Sequence, residues 1–140
     1  KRQGPSTGSL QPKGGIPVDL QAYWDAVLGQ QPQALRAFFH PEAHVDWPNT
    51  NERFTLEEFI RANCEYPGEW DGEIRRVVQK DDLTVTVVSV FSKDKKLSFH
   101  VTSFMRIREG RILSLEEYWG DDGPPPRWRQ EMKIGSPIPE

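Results

Sequence analysis

Apolar residues first fall into a regular pattern at position 20. Leu20, Tyr23, Trp24, Val27 and Leu28 keep the i, i+3, i+4, i+7, i+8 spacing of one helical face. Asp19 or Pro17 can start that helix, and Gly29 is a suitable stop. Pro32 then suits the first turn of a second short helix with Leu35, Phe38 and Phe39 on its apolar face, ended by Pro41. His44-Val45-Asp46-Trp47 alternates polar and apolar, as a short half-buried strand does, and Pro48 closes it. Thr55 and Glu58 form a T-x-x-E capping box, with Phe54 and Phe59 at the N′ and N4 positions of a hydrophobic staple. The helix they open continues through Ile60 and either Asn63 or Cys64, and Pro67-Gly68 terminates it.

From Glu69 onward the period changes to two. Strands are expected at about 70–79, 83–92, 97–108 and 111–119, with turns at Asp81-Asp82, Lys93 to Lys96 and Glu109-Gly110. Short turns between consecutive strands make an antiparallel meander. On the third of these strands Phe99, Val101, Ser103, Met105 and Ile107 share the apolar side, and His100, Thr102, Phe104, Arg106 and Arg108 face away. On the last strand Leu113, Leu115, Glu117 and Trp119 share one face, and Ile112, Ser114, Glu116 and Tyr118 the other. A one-residue slip would exchange Glu116 for Glu117, and Asp46 for Trp47. Helices, a short strand, a helix and then a meander amount to an α+β arrangement with helices on one sheet face.

Composition narrows the class. The 140 residues suit one domain, and five Trp, seven Phe and three Tyr can build a core, which excludes wholesale disorder. No apolar run approaches the length of a membrane span, and no secretory leader pattern opens the chain. A single cysteine, Cys64, allows no internal disulfide and reads as inert core. Three scattered His and that Cys form no metal-ligand spacing, so no metal is expected, and a cytoplasmic location fits. Residues 1–15 carry three basic groups and no acid, and read as a flexible tail or a segment added for expression. The rest holds 15 basic against 21 acidic residues, a balance of −6 that disfavours nucleic acid as a partner. Residues 16–120 form the domain, and the Pro-rich extension 121–140 is expected to pack on it, with Trp128 as anchor.

Three segments carry a family resemblance: YWDAVLGQQPQALRAFFHPEAHVDWP at 23–48, the capped helix at 55–66, and EGRILSLEEYWG at 109–120. Together they resemble the nuclear transport factor 2-like superfamily, in its SnoaL-like and ketosteroid isomerase branch. The resemblance implies a cone-shaped, curved antiparallel sheet with three N-terminal helices packed on its concave face around a pocket. It also implies a homodimer through the outer sheet face. The isomerase's oxyanion-hole tyrosine falls on Tyr23, its general-base carboxylate on Trp47 with Asp46 one residue earlier, and its second oxyanion donor on Ser103. One of three roles survives, so steroid isomerisation by that machinery is not expected.

The resemblance makes the face of Leu115, Glu117 and Trp119 the concave one. A carboxylate between Leu115 and Trp119 would be desolvated, which favours its neutral form and suits a general acid or base. Tyr23 is the candidate donor to a developing oxyanion, and Trp47 and Trp119 are candidate walls for a ligand. Asn63, Ser103 and Leu115 complete the candidate ligand-binding set. His44, Asp46 and His100 read as outward-facing. Two readings stay open. One is an apolar small-molecule pocket, with cofactor-free isomerisation, dehydration or cyclisation if it is an enzyme. The other is a non-catalytic interaction domain that meets a partner through the outer sheet face or the tail around Trp128.

Overall fold

The computed structural model describes residues 17–140, so the expected tail at 1–15 lies outside the described residues. Helix α1 (Leu20–Leu28) starts at Asp19, whose Oδ1 accepts the Ala22 N–H at 3.1 Å, and stops at Gly29. Helix α2 (Pro32–Arg36) is shorter than its pattern suggests. Phe38 lies beyond it, and Phe39 already belongs to strand β1 (Phe39–Trp47), where it pairs with Ile112 and is buried. Pro41 therefore sits inside a strand and does not end a helix. The strand tolerates it because pairing with the neighbouring strand is interrupted between Phe39 and His44, where a missing N–H costs no ladder bond.

A 3-10 turn at Pro48–Thr50 leads to β2 (Glu52–Thr55), a short strand that pairs antiparallel with β1. Helix α3 (Leu56–Cys64) follows. Both arms of its capping box form: Thr55 Oγ1 accepts the Glu58 N–H at 3.2 Å, and Glu58 Oε1 accepts the Thr55 N–H at 2.9 Å. The meander then runs β3 (Trp70–Lys80), β4 (Leu83–Ser92), β5 (Ser98–Arg108) and β6 (Arg111–Asp121), and a one-and-a-half-turn helix α4 (Arg127–Met132) lies beyond it.

The sheet order is β2-β1-β6-β5-β4-β3. It is a curved, unclosed sheet of mixed direction, because β1 runs parallel to β6 while every other neighbour is antiparallel. Three helices do precede the meander, but β1 and β2 are threaded between them. One face of the sheet carries Val88, Val101, Met105 and Leu115, all buried, and meets Tyr23, Trp24, Phe39 and Phe59 from the other elements in a single core. Strict alternation fails at one place on β6. Arg106 pairs with Ser114 but Ile107 pairs with Ile112, so Leu113 is the extra residue of a bulge. Ile112 is thereby turned inward and fully buried, against its expected outward face, and Leu113 is left half-buried.

Residues 121–140 were expected to pack on the domain with Trp128 as anchor; every one of them is exposed, and Trp128 is 59% exposed. Among the described residues no helix is long and apolar enough to cross a membrane.

Candidate functional site

The site is built around one buried acid. Glu117, on β6, is 2% exposed and lies opposite Ser103 on β5. Its neighbour Glu116 faces outward and is hydrogen-bonded to the Tyr118 hydroxyl. The parallel pairing of Asp46 with Glu116 brings the next residue of β1, Trp47, alongside Glu117. Trp47 Nε1 donates to Glu117 Oε1 at 3.1 Å, and Trp119 Nε1 reaches the same oxygen at a longer 3.4 Å. Ser103 Oγ donates to Oε2 at 2.7 Å. Burial pushes the Glu117 carboxyl above the usual carboxylate range, while the Ser103, Trp47 and Trp119 bonds pull against that shift; burial wins.

Beside this acid lies an open cavity of about 470 Å³ between α1, α3 and the inner sheet face. Its aromatic wall comprises Trp47, Tyr66, Trp70, Phe99 and Trp119. Three of these steps are ring contacts: Tyr66 with Trp70 at 5.6 Å, Trp70 with Phe99 at 5.8 Å, and Phe99 with Trp119 at 6.1 Å between centroids. Val27, Leu28 and Val90 add aliphatic surface, and Gln30, Asn49, Thr50, Asn63 and Asp121 supply polar edges.

Two amides tie the helices together at this wall. Asn63 Nδ2 on α3 donates to the Val27 carbonyl of α1 at 3.0 Å. Gln30 reaches back with its Nε2 to the carbonyls of Asn63, at 3.0 Å, and Tyr66, at 2.7 Å. Its backbone adopts a left-handed conformation, φ 53°, just after α1.

Of the residues singled out from the sequence, Trp47, Asn63, Glu117 and Trp119 line the cavity together. Ser103 is fully buried, is not a lining residue, and is hydrogen-bonded to Glu117. Leu115 is buried in the core and is not a lining residue. Tyr23 is also behind the wall, in an aromatic cluster with Trp24, Phe38 and Phe39 at 5.5, 5.6 and 6.0 Å. Among the described residues its hydroxyl has no hydrogen-bond partner, and burial, with the Glu117 charge adding to it, pushes its pKa well above the ordinary tyrosine value. Tyr23 therefore keeps its proton at any physiological pH.

Asp46 is away from the cavity, clasped by Arg53 through two bonds of 2.7 and 2.9 Å that hold its carboxyl below the usual range. His100 is on the outer face with Asp122 and Ser89. Among the described residues no three His, Cys, Asp or Glu side chains are placed to hold a metal ion.

Tyr66, Trp70, Phe99, Gln30 and Asp121 were not among the candidates. Phe99 carried a signal, since it shares the alternating face of Val101 and Ser103. Gln30 carried none, because its role depends on a left-handed turn that glutamine seldom adopts.

The SnoaL-like domain family matches residues 20–115, which is more than half of the chain. The protein is a member of that family. Its solved structural neighbours agree in fold. A candidate ketosteroid isomerase from Kribbella flavida is 20% identical, with 85% of this chain and 87% of that one covered and a TM-score of 0.69. An NTF2-like protein of unknown function from Burkholderia xenovorans is 22% identical, with 85% and 92% covered and a TM-score of 0.68. A candidate polyketide cyclase from Streptomyces antibioticus is 16% identical, with 74% and 88% covered and a TM-score of 0.60. No curated protein matches this SnoaL-like chain significantly.

Proposed function

We propose that this SnoaL-like domain binds an apolar, cyclic small molecule in the cavity beside Glu117, and that Glu117 is the group able to move a proton there. The observation that supports this most is a buried carboxylate at the wall of an open aromatic cavity, with its pKa raised by desolvation. Acting as a base, Glu117 takes a proton from a carbon next to a carbonyl, and the electron pair moves onto the carbonyl oxygen. Returning that proton to a different carbon completes an isomerisation without any cofactor; cyclisation or dehydration uses the same first step. Neighbours described as a candidate isomerase and a candidate cyclase are in keeping with this chemistry. Tyr23 is the donor we assign to the developing oxyanion. Its hydroxyl lies behind the wall, so that role requires side-chain movement, and Tyr23→Phe reports on it separately from Glu117.

The test is a thermal-shift screen against steroids, terpenoids, polyketide aromatics and fatty acids, with each hit repeated on Glu117→Gln and Trp119→Ala. A ligand at 100 times its Kd raises stability by about 2.7 kcal/mol. A hit weakened by both substitutions supports the reading and justifies turnover assays on that class. Stabilisation that both variants keep contradicts it.

A second reading, a non-catalytic interaction domain, is favoured by the exposed segment 121–140, where Trp128, Met132 and Ile134 are each more than half exposed. Self-association belongs to either reading. The outer sheet face shows Val78, Phe104 and Tyr118 to solvent, and we assign it to a homodimer.

A further inference from the structure

We infer that the molecule held beside Glu117 is an organic cation, an apolar body bearing a tertiary or quaternary amine, with Glu117 as its counter-ion. This rests on the reading of the cavity as a ligand pocket and specifies the chemistry of the ligand.

The hydrogen bonds of Glu117 fit its ionised form. An indole nitrogen can only donate, and Oε1 faces two of them, Trp47 Nε1 and Trp119 Nε1. That oxygen has no place for a proton. At Oε2 the Ser103 hydroxyl donates at 2.7 Å, so three donors converge on one carboxylate. A carboxylate removed from water is ordinarily paired with a positive group. Here its partners are two indoles and a hydroxyl, and among the described residues no lysine, arginine or histidine bonds to it. When Glu117 is ionised, its charge is solvated by dipoles but not neutralised.

The rest of the wall points the same way. Five aromatic side chains border the space, and aromatic ring faces attract cations, the more so when water is excluded. A second acid, Asp121, stands at the exposed end of the same wall, and among the described residues no basic side chain lines it. An anionic ligand such as a fatty acid would meet two like charges and no partner. A neutral ligand would leave the buried charge of Glu117 uncompensated. A cation with an apolar body meets both the charge and the rings.

The experiment compares two probes of the same shape, benzyltrimethylammonium and its carbon isostere neopentylbenzene, titrated against the full chain by tryptophan fluorescence. The inference predicts that the cation binds at least about tenfold more tightly than the isostere, and that Glu117→Gln removes this preference by weakening the cation while the isostere still binds, no more weakly than before. Retained isostere binding also shows that the variant is folded. Asp121→Asn is the second variant, expected to weaken the cation alone and by less. If the isostere binds as well as the cation, or Glu117→Gln and Asp121→Asn leave the cation's advantage intact, the inference is overturned and the pocket reading stands. If neither probe binds, the inference is overturned, and the broader ligand screen decides the pocket reading independently.

Discussion

At the scale of single residues, Glu117 should leave its mark on the pH dependence of folding. Its carboxyl titrates above the value it has in the unfolded chain because burial disfavours the charged form. Between those two values the folded state holds the extra proton, so stability falls as pH rises through that window, and the full penalty remains above it. Glu117→Gln removes the charge and keeps an oxygen to accept from the indoles. The variant should therefore melt a few degrees above the parent at about pH 8, with the gap closing as pH falls towards about 4. Melting curves across that range check it; a gap that widens on acidification would mean Glu117 stabilises the fold as an anion.

Alternation placed Glu117 on one face with Leu115 and Trp119, and the family resemblance made that face the concave one; the register that decides between Glu116 and Glu117 was not legible. Its partners were not. Trp47 lies 70 residues away, and only the parallel seam between β1 and β6 brings the two together. Tyr66 lies in the bend after α3, where no period announces which way a side chain points, and Trp70 only opens β3.

At the scale of elements, the end of α1 meets the sheet over a glycine. A Cβ on Gly72 of β3 would stand 2.6 Å from the Ser89 carbonyl oxygen and 3.0 Å from Leu28 Cδ1 at the end of α1. The backbone cannot easily yield, and Leu28 is part of the cavity wall. Gly72→Ala should cost about 1–3 kcal/mol in urea unfolding and also weaken any ligand of the cavity, because Leu28 must move. A variant with parental stability would show that β3 and α1 are not packed this closely.

Signals confined to a few neighbouring residues were readable at this scale, as the reciprocal bonds of Thr55 and Glu58 show. Signals that depend on distant pairing were not. The stretch Leu35, Phe38, Phe39 satisfies a helical spacing, but burial of Phe39 against β6 draws the chain into a strand at that point. β2 has four residues and one large apolar side chain, too little to register as a pattern. The bulge at Leu113 reverses the faces of Ile112 and Leu113 through pairing with Ile107 that a single strand does not reveal.

For the molecule as a whole, the two sheet faces have different fates. The inner face carries the buried core and the cavity, while the outer face presents Val78, Phe104 and Tyr118, at 52, 38 and 40% exposure. A homodimer on that face predicts that Phe104→Glu shifts the sedimentation coefficient to that of a monomer and leaves ligand affinity unchanged. An unchanged sedimentation profile would remove the outer face from the account. The class of fold and the order of the meander were legible because each strand declares a period of two and each turn its Gly or Asp; the closing of β1 against β6 was not.

The five tryptophans allow the central claim to be tested in one spectrum. Trp47 and Trp119 point their indole N–H groups at Glu117, Trp70 lines the same cavity, Trp24 is buried in the core, and Trp128 stands in the exposed tail. The measurement is a ligand titration followed by the indole N–H resonances in a proton–nitrogen correlation spectrum. A small molecule held beside Glu117 shifts Trp47 and Trp119 most, moves Trp70, and leaves Trp24 and Trp128 in place. A stabilising compound that leaves Trp47 and Trp119 unmoved, or moves Trp128 alone, would contradict the placement of the site.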